Sequence, residues 1–175
     1  MRKAIILVAA VASICGAASA QQTQTQTLSI FVSDTAEPSY GLSYERMFAP
    51  RWSVQATVAV EHPHSYNYVV EDNGAITLVN RERLQTVPID LTARYHWPND
   101  TRWKPFLGAG AHYVAAPDAD PRFHYRNHLQ AAITGGTLFM LTHNLGLMLD
   151  GRVYLGDHEP YDESLKTSFG LSWRF

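Results

Sequence analysis

Residues 87–97 read VPIDLTARYHW, and this stretch decides the fold. The odd-numbered positions are all apolar or aromatic, whereas the even-numbered ones include Asp90, Thr92, Arg94 and His96. Successive side chains of a β-strand point to opposite faces, so this period of two separates the two sets. The segment therefore predicts a strand with one apolar face and one charged face.

The same alternation recurs along most of the chain. It is regular in residues 40–45, 52–61, 145–150 and 165–175, and weaker in residues 103–114 and 127–141. A short opening strand is predicted over residues 27–33, and no helical period of any length occurs. The count is about eight, the smallest usual number for an outer-membrane barrel. The predicted fold class is an all-β, eight-stranded antiparallel up-and-down transmembrane β-barrel.

The predicted connections alternate in length. Residues 48–51, 98–102 and 141–144 form tight turns, whereas residues 62–83, 116–125 and 156–164 form longer loops. Short turns on one rim and long loops on the other are typical of outer-membrane barrels, although the connection over residues 33–38 is short. Asp72-Asn73-Gly74 is a hairpin signal, so the longest loop is predicted to rise as a ribbon.

The N-terminus predicts export. Arg2 and Lys3 precede an apolar run over residues 4–12, and Ala18-Ser19-Ala20 resembles a cleavage site. We predict a signal peptide over residues 1–20, a disordered polar tail over residues 21–26 and the barrel over residues 27–175. An N-terminal membrane anchor is the alternative, but the apolar run is short for one.

Composition excludes several other classes. The chain has 175 residues, which suits one domain, and its net charge of -2 provides no basic field for nucleic acid. Its single cysteine, Cys15, rules out a disulfide framework and a site built from several thiolates. Beyond the N-terminus no apolar stretch approaches the roughly 20 residues of a membrane-spanning helix, so a membrane location requires strands.

Aromatic residues on the apolar faces gather beside the short turns and at the C-terminus. This predicted aromatic girdle comprises Phe48, Trp52, Trp97, Trp103, Phe139, Trp173 and Phe175. Rings of this kind are favoured at a membrane interface. Packing in a soluble lipocalin-like barrel, the alternative fold, gives no reason to sort tryptophans to one end.

The opposite faces carry mixed charges and glycines. The predicted lumen charge network comprises Glu45, Glu61, Asp90, Arg94, Asp150, Arg152, Lys166 and Arg174. Isolated charges in a narrow lumen are costly, so we expect acids and bases to pair there, with glycines leaving room. The alternative is that these residues form the solvent face of a soluble barrel.

Four segments carry a family resemblance. Residues 87–97, 104–113, 144–152 and 170–175 resemble the OmpW family of small outer-membrane proteins, within the wider group of OmpA-like and OmpX-like eight-stranded barrels. The resemblance implies a narrow channel that receives small hydrophobic molecules and passes them sideways into the membrane. The last strand, ending at Phe175, resembles the signal read by the outer-membrane assembly machinery. The short connection over residues 33–38 departs from the family pattern.

Candidate catalytic and metal-binding residues are few. His124-Tyr125-Arg126-Asn127 is the nearest match to a lipid A deacylase segment, but arginine replaces the nucleophilic serine. Glu61, His62, His64 and Ser65 share one loop, although nearness in sequence does not make a triad. His62 and His64 would bind a metal only if further ligands, such as His124 or His128, converged on them. We predict no catalytic residues, no metal and no cofactor.

The sequence leaves three functions open. The leading prediction is a porin-like or receptor-like barrel for small solutes, hydrophobic ones among them, in the outer membrane of a Gram-negative bacterium. The first alternative is a structural or adhesive barrel with a plugged lumen that acts through its outer loops. The second is an outer-membrane lipid hydrolase. Expected partners are outer-membrane lipid and the assembly machinery, and not nucleic acid.

Overall fold

The computed structural model describes residues 26–34, 39–62, 64–70, 76–83, 85–98, 100–115, 128–155 and 165–175. The side chains of Asp34, His128, residues 64–70 and residues 76–83 lie outside this description. So do the predicted signal peptide over residues 1–20, residues 21–25 of the predicted tail, and the predicted loops over residues 116–125 and 156–164.

Ten strands occupy the described part of the chain. They are β1 (Gln26–Asp34), β2 (Ser39–Ala49), β3 (Trp52–Val60), β4 (His64–Val70), β5 (Ile76–Arg83), β6 (Val87–His96), β7 (Trp103–Ala115), β8 (His128–Met140), β9 (Leu145–Leu155) and β10 (Leu165–Arg174).

Eight of these strands close an antiparallel barrel in the order β1-β10-β9-β8-β7-β6-β3-β2. Because β1 pairs with both β10 and β2, no strand edge of the barrel is left unpaired. The predicted fold class is confirmed. The remaining strands, β4 and β5, pair only with each other and form the predicted ribbon between β3 and β6. The turn signal at residues 72–74 lies outside the described residues.

The first strand begins one residue earlier than the sequence predicted. Gln26 N donates to Phe175 O at 2.8 Å, and Phe175 N donates to Gln26 O at 2.9 Å. These bonds place Gln26 in the barrel, so assigning it to the disordered tail was wrong. Strand ends are hard to locate from alternation because the terminal residues are fixed by the partner strand rather than by their own polarity.

A β-bulge modifies the first short turn. The register of β2 and β3 shifts between Met47 and Ala49, which pairs with Trp52. A bulge inserts one extra residue into a strand and bends it. The turn that was predicted over residues 48–51 is therefore reduced to Pro50 and Arg51, and Phe48 lies within the strand with 55% of its surface exposed.

One rim of the barrel carries the short turns. His96 N donates to Arg51 O at 2.8 Å, Met140 N to Arg102 O at 2.8 Å, and Arg174 N to Asn144 O at 2.7 Å. The three tight turns therefore lie beside one another, next to Gln26 and Phe175. We call this end the short-turn rim. The β4–β5 ribbon leaves the barrel at the opposite end, where β3 finishes and β6 begins.

The barrel has a polar inside and an apolar outside. In the described chain, the buried residues include nineteen polar or charged ones and eight hydrophobic ones. Large apolar side chains such as Ile30, Leu149 and Phe169 are more than half exposed. A soluble barrel has the opposite distribution, whereas lipid-facing strands place apolar residues outward.

No helix within the described residues has both the length and the apolar character needed to cross a membrane.

Candidate functional site in the barrel lumen

Four charged side chains meet in the middle of the lumen. Asp90 and Arg94 extend inward from β6, and Asp150 and Arg152 extend inward from β9. Arg94 Nη2 lies 2.9 Å from Asp150 Oδ2, and Arg152 Nη1 lies 2.5 Å from Asp90 Oδ2. Both ion pairs join strands that are not neighbours in the barrel, so they cross the lumen. We call these four residues the mid-barrel network.

Asp150 is the centre of this network. Its side chain is fully buried, and its Oδ2 atom also accepts hydrogen bonds from Arg152 Nε at 3.1 Å and Nη2 at 2.7 Å. Its Oδ1 atom accepts a hydrogen bond from the Thr134 hydroxyl at 2.5 Å. One carboxylate thus holds two guanidinium groups. Such bonds are stronger than neutral ones, and their full set compensates for burial of the charges.

Asp90 is anchored by a histidine from the neighbouring strand. The distance between His112 Nδ1 and Asp90 Oδ1 is 2.6 Å, and the two residues face each other across β6 and β7. The His112 ring lies against Tyr154, with 3.9 Å between ring centroids. The network therefore balances two carboxylates with two guanidinium groups before any charge on His112 is considered.

Two inward-facing phenylalanines narrow the lumen around the arginines. The guanidinium carbon of Arg94 lies 4.1 Å from the Phe106 ring centroid, and that of Arg152 lies 5.6 Å from the Phe31 ring centroid. A Cβ atom on Gly41 would lie 2.2 Å from Phe31 Cζ, so only glycine there leaves room for this ring. The two rings therefore lie against the guanidinium groups of the ion pairs that cross the lumen.

A separate ion pair lies toward each end of the barrel. Toward the short-turn rim, Glu45 Oε1 lies 2.7 Å from His96 Nε2, and it also accepts a short hydrogen bond from Ser53. Its Oε2 atom lies 3.9 Å from Arg94 Nη1, which links it weakly to the network. Toward the ribbon end, Lys166 Nζ donates to both Glu61 oxygens, at 2.8 and 2.9 Å.

Arg174 is the exception among the eight charges predicted to pair. It is half-buried and lines a cavity of about 260 Å³ at the short-turn rim. Among the described residues, no hydrogen bond or ion pair engages its guanidinium group. The other seven charges lie in the mid-barrel network or in the two flanking pairs.

Sequence reasoning missed several lumen residues. His96 and His112 stand at inward positions of β6 and β7, so the alternation placed them correctly but gave no hint of their carboxylate partners. Phe31 and Phe106 also point inward, where the pattern leads one to expect polar residues. An aromatic residue at a polar-face position is the signal that could have revealed the narrowing of the lumen.

The predicted girdle residues lie around the short-turn rim. Six of them are between 46% and 56% exposed, and Phe139 packs against Trp103 with 4.7 Å between ring centroids. Tyr95 extends the ring of aromatics, since its own ring lies 5.2 Å from Trp52 and 5.5 Å from Trp97.

The catalytic candidates are not assembled in the described part of the chain. Residues 124–127 and the side chains of His64 and Ser65 lie outside it, while Glu61 is engaged by Lys166. Among the described residues, no three histidine, cysteine or acidic side chains converge closely enough to hold a metal ion.

The closed barrel, its polar lumen and its apolar exterior define an eight-stranded outer-membrane β-barrel. Solved structures of this kind resemble it at low sequence identity and share its fold. The N-terminal barrel domain of Pseudomonas aeruginosa OprF is 13% identical, with 86% of this chain and 97% of that chain covered and a TM-score of 0.64. OprG from Pseudomonas aeruginosa is 13% identical, with coverages of 87% and 95% and a TM-score of 0.58. Ail of Yersinia pestis, determined in a phospholipid nanodisc, is 14% identical, with coverages of 86% and 99% and a TM-score of 0.55.

The family follows from the sequence. Residues 1–149 match the OmpW family, and the chain belongs to that family. No curated protein sequence matches it. Family and fold together make it an outer-membrane β-barrel protein and imply the outer membrane of a Gram-negative bacterium.

Proposed function

We propose that this protein is a small-solute channel that is closed at rest by the mid-barrel network. The observation that carries the proposal is the pair of salt bridges across the lumen, Arg94 to Asp150 and Arg152 to Asp90. Eight strands enclose an interior that side chains can nearly fill. A solute can therefore pass only when at least one of these pairs separates.

The energetics favour a closed ground state. Removing one partner of a buried ion pair costs about 3–5 kcal/mol, and separating the two groups leaves the same kind of uncompensated charge. Each 1.4 kcal/mol is a factor of about ten in population, so the closed state is favoured by roughly a hundredfold or more. A channel of this kind opens rarely and briefly unless a solute or a change in the outer loops offsets that cost.

Single-channel recording in a planar bilayer tests the proposal. The paired change Asp90→Asn with Arg152→Ala removes one cross-lumen bridge and preserves the net charge. We expect rare openings from the unaltered chain and frequent ones from this variant. The matched control is Glu61→Ala with Lys166→Ala, which removes the pair nearer the ribbon and should retain the unaltered behaviour. Equal conductance from both variants and the unaltered chain would contradict a closing role for the network.

A second candidate function is a plugged barrel that acts through its outer surface, as a structural or adhesive protein. The β4–β5 ribbon favours it, because this paired hairpin extends beyond the barrel at the end opposite the short turns. Removing residues 64–83 distinguishes the two. If this deletion abolishes surface attachment and no conductance is recorded in bilayers, the adhesive function is supported. Conductance by the Asp90→Asn with Arg152→Ala variant supports the channel instead.

The solute, export and assembly are also part of the proposal. The family resemblance supports small hydrophobic solutes that leave sideways into the membrane. Residues 1–20 have the features of a cleaved signal peptide. The last strand, β10, closes the barrel against β1, and a strand in that position suits recognition by the assembly machinery. A lipid hydrolase has weaker support. Glu61, the acidic residue of its candidate catalytic group, forms an ion pair with Lys166.

A further inference from the structure

The cavity at the short-turn rim is lined by more cationic side chains than carboxylates. Its lining includes four cationic side chains, Arg51, Arg94, Lys104 and Arg174, and one carboxylate, that of Glu45. A concave site lined by one sign of charge and walled by low-dielectric protein concentrates the field and attracts the opposite charge. The cavity lies on the short-turn side of the mid-barrel network, because Arg94 forms its inner wall.

The one carboxylate in the lining does not pair with Arg174. Glu45 is already engaged by His96 and Ser53, and it lies 3.9 Å from Arg94. Arg94 is 1% exposed, and its Nε atom has no hydrogen-bond partner although it is buried. Arg174 has no partner among the described residues. A buried donor left unsatisfied, like Nε of Arg94, is unusual. The half-buried guanidinium group of Arg174 is available to an acceptor inside the cavity.

We propose that this cavity binds a small organic anion. A carboxylate of the ligand accepts hydrogen bonds from the guanidinium group of Arg174, with Arg94 in the inner wall of the cavity. The apolar body of the ligand packs against Met47, Leu138 and Met148, which line the same cavity. The volume of about 260 Å³ lies below the usual ~300–1,000 Å³ of drug-sized ligand pockets, so the site suits a compact molecule.

The site goes beyond the proposed channel function and does not depend on it. It is open toward the short-turn rim whether or not the mid-barrel network ever opens. An anion at this position would also place negative charge beside Arg94, the residue that holds Asp150. Occupancy and the cross-lumen bridge would then compete for the same guanidinium group.

Calorimetric titration of the folded full-length chain in zwitterionic detergent tests the proposal, with benzoate as the probe and benzamide as its neutral counterpart. On the unaltered protein we expect saturable binding of benzoate and at least tenfold weaker binding of benzamide, because a charge-assisted bond is lost. Binding of benzamide as tight as that of benzoate, or no saturable binding of benzoate, overturns the proposal without reference to any variant.

Two arginine variants then locate the site. Arg174→Gln should weaken benzoate binding about tenfold, whereas Arg102→Gln should not change it. Arg102 is an exposed cation of the same rim that does not line the cavity, so it is a matched control. Equal weakening by both variants would reveal a general effect of surface charge and contradict the assignment.

Failure of this proposal and failure of the channel proposal are distinguishable. Titration in detergent involves no bilayer and no conductance. If no conductance is seen in bilayers, the binding result is unaffected. If no binding is seen, the conductance of the Asp90→Asn with Arg152→Ala variant still tests the channel proposal.

Discussion

Replacing Asp150 by asparagine tests the energetic role of the network most simply. The substitution keeps the size of the side chain and removes its charge. Oδ2 of Asp150 accepts three hydrogen bonds from guanidinium groups, at 2.9 Å from Arg94 and at 3.1 and 2.7 Å from Arg152. An asparagine oxygen can accept the same three bonds, but without the ionic contribution.

The magnitude follows from the loss of the buried carboxylate charge. The three bonds to the asparagine oxygen would still come from charged guanidinium groups, so the loss lies mainly in the attraction between opposite charges. Removing one partner of a buried ion pair costs about 3–5 kcal/mol, and the lower end of that range applies because the hydrogen bonds are retained. We therefore expect Asp150→Asn to lower the free energy of unfolding by about 3 kcal/mol.

The assay is urea-dependent unfolding of the protein in lipid vesicles, followed by tryptophan fluorescence. The matched control is Asp100→Asn, an exposed carboxylate in the turn before β7, which should change stability by less than about 0.5 kcal/mol. If Asp150→Asn is as stable as the control, the buried carboxylate does not hold the two arginines, and the reasoning is refuted.

Three further predictions concern the outer face, the lumen and the rim. Leu149→Arg, within the span of β9, should lower the free energy of unfolding in vesicles by about 2–4 kcal/mol. Leu165→Arg, at the end of β10, should lower it by only about 0–1 kcal/mol. Equal losses for the two variants would contradict a lipid-facing exterior. Gly41→Ala should lower the free energy of unfolding by about 1–3 kcal/mol, because the added methyl group crowds the Phe31 ring. In a double-mutant cycle, Gly41→Ala should be nearly neutral when it is made in a Phe31→Ala background. Tryptophan fluorescence should be quenched more by lipids brominated near the headgroup than by lipids brominated at the chain ends, and the reverse order would contradict an interfacial girdle.

The strands and their faces could be predicted from the sequence because both depend on local alternation. Residues 87–97 show this: odd positions such as Leu91 face outward and even positions such as Arg94 face inward, as the structure has them. The ribbon could be predicted as well, because one turn signal in a long connection is local information. The period of two is the same whether lipid or a protein core covers the apolar face. Only the direction of the apolar face, outward instead of inward, differs.

The partners within the lumen could not be predicted. Arg94 and Asp150 are 56 residues apart in the chain, and Arg152 and Asp90 are 62 residues apart. Which inward residues meet depends on the stagger of strands around the closed barrel, a property of the whole sheet. The register shift at Met47 and Ala49 is a further detail that alternation does not reveal.

The inward direction of two aromatic residues could not be predicted from the sequence for a different reason. Phe31 and Phe106 are apolar, and an apolar residue in a strand is normally assigned to the lipid face. Their position becomes clear only when strict alternation is preferred to polarity. The glycine beneath Phe31 was expected to leave room in the lumen, but the ring that fills this room was not foreseen.

The central claim is that the lumen is closed at mid-barrel. It is tested most directly by labelling, from one side of the membrane, a cysteine placed on the short-turn side of the mid-barrel network. Cys15 is the only cysteine of the chain, so Cys15→Ser allows single cysteines to be introduced at Thr27, which lines the cavity, or at His143, which is exposed in a short turn. A membrane-impermeant thiol reagent is added outside sealed vesicles. The His143→Cys protein reports the fraction of molecules whose short-turn rim faces outward. The account predicts that Thr27→Cys is labelled to that same fraction. Labelling of Thr27→Cys beyond it would mean that the reagent passes through the barrel, and would contradict a lumen closed by Asp90, Arg94, Asp150 and Arg152.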